Sequence, residues 1–163
     1  AVLHARALAA AEAVSPAAVR VAGPASAEGA SPGLSAAVAQ AWPGSGAEGP
    51  LIILWPDLPR WRSAHLTAAL SDLADGCDVA LGPVFDGGFY LLALSRPIPG
   101  LFELPPDAWR SPDAMGMTFA LAVKDGVTAG LLRAERALRT AADVAAALAD
   151  PLLDDELRPL LAA

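Results

Sequence analysis

The chain has 163 residues, of which 55% are hydrophobic and 18% charged, with a formal net charge of −7. This length predicts a single domain over residues 1–163 that is large enough to bury a core. The acidic balance argues against a nucleic-acid partner. No apolar stretch approaches the roughly 18 residues of a membrane span, so no membrane association is expected. The one cysteine, Cys77, cannot form an internal disulfide, which favours a cytoplasmic location.

Helical and strand patterns alternate along the chain, with boundaries set by proline, glycine and capping residues. Helices are predicted at 3–13, 34–42, 63–74, 111–124, 141–149 and 154–161. Strands are predicted at 18–22, 51–54, 78–82, 89–94 and 127–133, and a loop at 23–33. Ser63 is a plausible N-cap for one helix, and Thr140 with Asp143 resembles a capping box for another.

This alternation predicts an α/β fold built on a mostly parallel mixed sheet. The continuous apolar run at 51–54 is typical of a strand covered on both faces. The connection between strands 78–82 and 89–94 is too short to require a crossover. We therefore expect one antiparallel pair in the sheet.

Acidic residues follow two of the predicted strands. Asp57 comes shortly after strand 51–54, and Asp86 follows strand 78–82 together with Gly87 and Gly88. Glycines allow a sharp turn and a close approach of the backbone to a ligand. Ligands of open α/β sheets bind at the carboxyl ends of the strands, so these two acidic ends predict one shared cleft.

Each candidate residue in this region also has a purely structural interpretation. Asp86 either orients or deprotonates a hydroxyl group, or it caps its own tight turn. Asp57 either coordinates a metal or a ribose, or it is a carboxylate favoured near a helix N-terminus. Trp55 either stacks on a ligand or packs at the strand end. The Arg-Trp-Arg run at 60–62 either attracts an anion to a helix start or forms a solvated surface cluster.

Three motifs in order resemble one bacterial family. They are Leu-Ile-Ile-Leu-Trp-Pro-Asp-Leu-Pro at 51–59, Asp-Val-Ala-Leu-Gly-Pro-Val-Phe-Asp-Gly-Gly-Phe-Tyr-Leu-Leu-Ala-Leu at 78–94, and Trp-Arg-Ser-Pro at 109–112. The family is the glycosyltransferase-A-like domain of unknown function 2064. The chain is more distantly similar to nucleotidyltransferases such as molybdenum-cofactor guanylyltransferase. The resemblance extends over about residues 3–148, and its Asp-Gly-Gly segment is the most specific part.

The resemblance implies a Rossmann-like three-layer α/β/α (GT-A-like) fold that binds a nucleotide or nucleotide-sugar with Mg²⁺ or Mn²⁺. Family members open with a strand and a phosphate-cradling loop, and comparison with this pattern predicts that the chain lacks both. Trp109 matches a family position near the active cleft, although it is equally suited to pinning a long loop to the core. The resemblance implies Asp86 as the catalytic residue and Asp57 as the remaining metal candidate. The predicted substrate-binding residues are Gly87, Gly88, Tyr90, Trp109, Trp55 and Arg139.

Three positions depart from the family pattern. Leu54 replaces an aspartate that looks like a metal ligand, Arg139 replaces an acidic residue before Thr140, and Phe85 replaces the acidic residue before Asp-Gly-Gly. Mg²⁺ requires carboxylate and phosphate oxygens, so the changes at Leu54 and Arg139 argue against a metal held as in the family. A guanidinium binds phosphate oxygens well, and we hypothesise that Arg139 takes over part of the metal's charge role.

Two functional interpretations follow. In the first, the chain is a divergent glycosyl or nucleotidyl transferase with weakened or lost metal-dependent catalysis. In the second, it is a non-catalytic binding or scaffold module of the same fold, possibly a homodimer, because unpaired sheet edges tend to pair with another chain.

Overall fold

The computed structural model describes residues 2–14, 49–105 and 108–162. The predicted strand 18–22, the loop 23–33 and the helix 34–42 lie outside these described residues. None of the described helices is long and apolar enough to cross a membrane.

The described helices lie where apolar spacing predicted them, with differences at their ends. They are α1 (Val2–Val14), α2 (Ser63–Ala74), α3 (Ala114–Lys124), α4 (Ala141–Ala149) and α5 (Arg158–Leu161), with 3-10 turns at Pro99–Phe102 and Ala108–Arg110. Arg62, and not the predicted Ser63, is the N-cap of α2. The capping box of α4 is confirmed, because the Thr140 hydroxyl accepts from the Asp143 amide at 3.2 Å while Asp143 Oδ2 accepts from the Thr140 amide at 3.0 Å.

Helices α3 and α5 begin later than the sequence predicts. Ser111 and Pro112 precede α3 as a turn, and α5 occupies only the last four residues of the predicted segment. Proline removes a backbone donor and is tolerated in a first turn, but it does not by itself decide where the hydrogen-bonded helix starts.

Four strands form one mixed sheet in the described residues. They are β1 (Leu51–Leu54), β2 (Val79–Pro83), β3 (Phe89–Leu94) and β4 (Ala129–Leu131), in the spatial order β1-β3-β2-β4. β2 and β4 are parallel, whereas β3 is antiparallel to both of its neighbours, β1 and β2. The expected antiparallel pairing of 78–82 with 89–94 is confirmed by β2 and β3, but β3 forms a second antiparallel pair with β1, so two of the three strand pairs among the described residues are antiparallel where a mostly parallel sheet was expected. The hairpin places β3 between β1 and β2, so β1, β2 and β4 share one direction and β3 opposes them.

Side chains of β3 point to both faces of the sheet and belong to two different hydrophobic clusters. Leu91 and Ala93 belong to a cluster that includes residues of α1 and α2, whereas Leu92 and Leu94 belong to a cluster that includes residues of α3. Helices therefore cover both faces of the sheet, which confirms the three-layer α/β/α arrangement. All six residues of β3 are buried, while β1 is half-buried along its length. β1 also packs against both clusters, with Ile52 and Leu54 on one face and Leu51 and Ile53 on the other, which confirms that this strand is covered on both faces.

Candidate functional site

The ends of three strands meet at one edge of the sheet. β1 leads into Trp55 and Asp57, β2 leads into the turn that carries Asp86, and β3 begins at this edge with Phe89. The register confirms the placement, because Pro83 is paired with Phe89 and the Trp55 amide donates to the Tyr90 carbonyl at 3.0 Å. The two acidic strand ends therefore open on the same side of the molecule, as the sequence predicted.

Arg139 joins these two acidic ends, and we call the group Asp57–Arg139–Asp86 the arginine bridge. Its Nε donates to Asp57 Oδ2 at 2.8 Å, and its Nη1 donates to both carboxylate oxygens of Asp86 at 3.0 Å. Its Nη2 donates to the Phe89 carbonyl at 3.1 Å. One guanidinium thus fastens β1, the Asp86 turn and β3 to one another.

Arg139 reaches this position because of the segment that carries it. The preceding residue, Leu138, donates its amide to the Asp57 carbonyl at 2.8 Å, and the capping box of α4 follows directly. Gly88 leaves the space that the guanidinium fills, since a Cβ atom there would lie 2.5 Å from Nη1 of Arg139. Because Gly88 has no side chain, the Arg139 guanidinium fits beside it.

Gly87 likewise leaves space, in this case for the backbone at Pro112. Its φ is +92°, and a Cβ atom at this position would overlap the Pro112 carbonyl oxygen. The Gly87 carbonyl accepts from the Met115 amide at 2.9 Å, which fixes the turn against the start of α3. Asp86 Oδ1 also accepts from the Gly88 amide at 3.2 Å, so the turn-capping interpretation of Asp86 describes a contact that is present.

The arginine bridge is partly shielded from water and carries a negative balance. The side chain of Arg139 is 23% exposed and that of Asp86 is 41% exposed. Burial alone would lower the pKa of Arg139, but the hydrogen bonds and charges of Asp57 and Asp86 raise it above its usual value. Two carboxylates face one guanidinium, which leaves a formal charge of −1.

The residues of the bridge do not fit a divalent metal. The guanidinium lies against both carboxylates, where the resemblance would place a cation. Leu54, at the position of the expected aspartate, is paired with Leu91 inside the sheet. No cluster of three potential metal ligands occurs within the described residues. Asp57 Oδ1 is buried and has no hydrogen-bond partner among those residues, so one acceptor remains beside the guanidinium.

The helix-terminus interpretation of Asp57 is wrong. Helix α2 begins at Ser63, and the carboxylate of Asp57 instead binds Arg139. Its position is decided by a partner 82 residues away in the chain.

The aromatic residues predicted to bind substrate are mostly interior. Tyr90 is 1% exposed, its hydroxyl donates to the Arg133 carbonyl at 3.2 Å, and burial raises its pKa to about 12. Its side chain is therefore not available at the cleft, which corrects the prediction for this residue. Trp109 is buried between Phe89 and Phe102, with ring centroids 6.0 and 5.9 Å away, so it pins the loop to the core. Trp55 is half-buried, with its ring centroid 5.9 Å from that of Phe89.

A second group of charged residues lies at the same edge, and sequence reasoning largely missed it. Three arginines line a cleft of about 190 Å³, which we call the arginine cleft. Its lining residues are Leu58, Pro59, Arg60, Phe85, Arg133, Ala134, Glu135, Arg136, Ala146, Ala147, Asp150 and Leu153. The available signal was the arginine content of 60–62 and 133–139. The surface interpretation of 60–62 holds for Arg62, which is exposed, but not for Trp61, which is buried, or for Arg60, which is half-buried.

One histidine of α2, His65, packs between Trp61 and Tyr90, with ring centroids 5.6 and 5.3 Å away. Its Nδ1 accepts from the Arg62 amide at 3.2 Å, and its Nε2 lies 3.5 Å from Glu135 Oε1. Burial lowers the pKa of His65, although the Glu135 carboxylate opposes that shift.

Comparisons with known proteins place this chain in a family. Residues 4–106 match the profile of a family described as uncharacterized proteins conserved in bacteria (DUF2064). A candidate nucleotide-diphospho-sugar transferase from Desulfovibrio desulfuricans G20 has a similar crystal structure, with 22% sequence identity and a TM-score of 0.62. That match covers 76% of this chain and 52% of the other, so this chain spans about half the length of that protein. No curated protein matches the chain.

The matches confirm the predicted family and the predicted nucleotide-sugar-transferase-like fold. The similarity to molybdenum-cofactor guanylyltransferase stays a prediction. Arg139 lies beyond the stretch that the family profile matches, so its correspondence to an acidic family position is still an expectation.

Proposed function

Because this chain belongs to the DUF2064 family of bacterial proteins, we propose that it binds a nucleotide-diphospho-sugar as a transferase-type domain. The fold is shared with a candidate nucleotide-diphospho-sugar transferase. Ligands of such sheets lie beyond the carboxyl ends of the strands, and this is the edge that carries the arginine bridge. Asp86, exposed on its outer side, is the carboxylate that can accept a hydrogen bond from a ligand hydroxyl.

The proposed domain works with little or no contribution from a divalent metal. The observation that carries this proposal is the guanidinium of Arg139, held at 2.8 Å from Asp57 and 3.0 Å from Asp86. A metal in a transferase of this type neutralises carboxylates and stabilises the leaving diphosphate. Arg139 neutralises the carboxylates. Stabilising the leaving diphosphate requires hydrogen-bond donors elsewhere in the protein. Catalysis that depends on metal is therefore weakened or lost.

Calorimetric titration with UDP-glucose and GDP-mannose tests the proposal. We expect at least one of them to bind, with the same dissociation constant in EDTA as in Mn²⁺, because the carboxylates already have a cation. Absence of binding to every nucleotide sugar would overturn the binding function. Binding that requires Mn²⁺ would instead overturn the role given to Arg139.

Replacing the internal cation gives a second test. In Arg139→Asp, three carboxylates face one another, and oxygen ligands of this kind suit Mg²⁺ or Mn²⁺. We expect Mn²⁺ to raise the melting temperature of Arg139→Asp while leaving that of the unmodified chain unchanged. Arg96→Asp is the matched control, because Arg96 also pairs with an aspartate but lies outside the bridge. Equal responses of the two variants would contradict the proposal.

The alternative is a non-catalytic scaffold that forms a homodimer. β4 is an edge strand of the sheet formed by the described residues, and its residue Leu131 is 64% exposed. Strands at sheet edges can pair with a second chain. Size-exclusion chromatography with light scattering distinguishes the cases, since a dimer that binds no nucleotide sugar supports the scaffold. A monomer in both Leu131→Lys and the unmodified chain would exclude it.

A further inference from the structure

The arginine bridge cannot by itself hold a phosphate group. Its formal charge is −1, and all three guanidinium nitrogens of Arg139 already donate to Asp57, Asp86 and the Phe89 carbonyl. Bidentate recognition of a phosphate needs two parallel donors on one guanidinium. A diphosphate at this edge therefore needs other cations.

The arginine cleft supplies three of them beside the bridge. Its walls follow β1 at Arg60, β2 at Phe85 and β4 at 133–136, so it opens on the same edge of the sheet. Phe85 is adjacent in sequence to Asp86 of the bridge. The lining carries three arginines and two carboxylates, and a third carboxylate, Asp143, pairs with Arg136, so the charges balance here in a chain whose net charge is −7.

Each of two of these arginines is anchored by one hydrogen bond to a carboxylate, and its other donors have no partner among the described residues. Nη1 of Arg60 donates to Asp150 Oδ2 at 3.1 Å, and Nη1 of Arg136 donates to Asp143 Oδ1 at 2.9 Å. The guanidinium of Arg136 also lies over the ring of Phe85, 5.5 Å from its centroid. Each anchor occupies one of the two Nη groups, and a guanidinium has five donors. When a guanidinium is already oriented, less side-chain entropy is lost when it binds an anion.

The acidic residues of the cleft are engaged with other groups. Glu135 Oε1 lies 3.5 Å from His65 Nε2, on the side of α2, and Asp150 receives the hydrogen bond from Arg60. The side chain of Arg133 is 88% exposed, and its Nε lies 3.8 Å from Glu135 Oε1. Arg133 can therefore turn towards a bound anion.

The base of the cleft is apolar. Leu58, Ala147 and Leu153 are all buried there. Interactions between charges are stronger beside such a low-dielectric surface than in bulk water.

We propose that the arginine cleft is an anion subsite that takes a phosphate or diphosphate group through Arg60, Arg133 and Arg136. The assignment of that group to a nucleotide-diphospho-sugar rests on the proposed function. The cleft then supplies the cationic contact to the diphosphate that the arginine bridge lacks. Binding forms charge-assisted hydrogen bonds and breaks no covalent bond.

Titration with inorganic pyrophosphate tests the cleft without reference to a nucleotide. We expect the unmodified chain to bind pyrophosphate and the double variant Arg60→Gln/Arg136→Gln to bind it about tenfold more weakly or worse, since each lost bond to a charged group has a large effect. Arg133→Gln is the second variant, because so exposed a side chain has little influence on folding. Arg96→Gln is the control, a paired surface arginine outside the cleft.

The outcomes separate this proposal from the proposed function. If the cleft variants weaken pyrophosphate binding and Arg96→Gln leaves it unchanged, the result supports the cleft. This holds even if UDP-glucose fails to bind. UDP-glucose and pyrophosphate binding that are both unchanged in the cleft variants overturn the cleft and leave the proposed function standing. No pyrophosphate binding to the unmodified chain, or equal loss in Arg96→Gln and Arg133→Gln, also overturns the cleft.

Discussion

The arginine bridge and the arginine cleft lie at one edge of the same sheet and use arginine in opposite ways. In the bridge, a single guanidinium faces two carboxylates and donates four hydrogen bonds to the protein. In the cleft, three guanidiniums face three carboxylates, those of Glu135, Asp143 and Asp150, and each anchored guanidinium makes a single hydrogen bond to the described residues. The comparison teaches that the number of surrounding acceptors, and not the residue type, decides whether an arginine is structural or available to a ligand.

Burial reinforces this difference. The Arg139 side chain is 23% exposed and joins three segments, whereas Arg133 is 88% exposed. A partly buried charge that loses its partner is costly, and an exposed ion pair contributes little. Substitutions in the bridge should therefore mainly change folding stability, and substitutions in the cleft should mainly change binding.

The largest effect on stability is expected from Arg139→Ala. Removing the guanidinium leaves Asp57 and Asp86 facing each other with no cation, and should reduce the free energy of unfolding by about 2 kcal/mol. Urea denaturation measures the change. Arg96→Ala removes an exposed Arg–Asp pair and should cost less than about 1 kcal/mol. Similar losses for the two variants would show that Arg139 is an ordinary surface residue.

Gly88→Ala should have a smaller effect of the same kind. The added Cβ would lie 2.5 Å from Nη1 of Arg139, so the guanidinium must move away from Asp86. We expect a loss of about 1 kcal/mol, because crowding a packed site strains it but a side-chain end can partly yield. Gly116→Ala is the matched control. It lies in α3 with no atom near the new Cβ, and should stabilise the protein. Stabilisation by both variants would contradict the close contact at Gly88.

The smallest expected effect is a pH dependence of folding stability that arises from His65. Burial lowers the folded-state pKa of His65 below its unfolded value of about 6.5, with Arg62 and Arg133 acting in the same direction and Glu135 opposing. The unfolded chain then binds more protons in this range, so stability should fall as the pH decreases from about 6.5 towards the folded-state pKa.

Denaturation curves collected between pH 7 and pH 5 measure this dependence. We expect His65→Gln to lose part of it and His4→Gln, which removes a histidine exposed on α1, to retain it. An unchanged slope in His65→Gln would show that His65 is not the group responsible.

Much of the fold followed from local patterns in the sequence. The bounds of β3 and α2, and the capping box at Thr140, agree with the predictions, because apolar spacing and capping residues act within a few positions of one another. The placement of β3 between β1 and β2 did not follow. A short connection indicates an antiparallel neighbour, but it says nothing about which other strand joins the opposite side.

The sequence alone determined the α/β class, the family and the two acidic strand ends. Only the tertiary structure decided what lies between those ends. Arg139 is 82 residues from Asp57 and 53 from Asp86, and no local pattern couples such distant positions. The three side chains come together because the sheet aligns its strand ends and Gly88 leaves room for a guanidinium. Charge then favours the ion pairs once folding has brought the groups within reach.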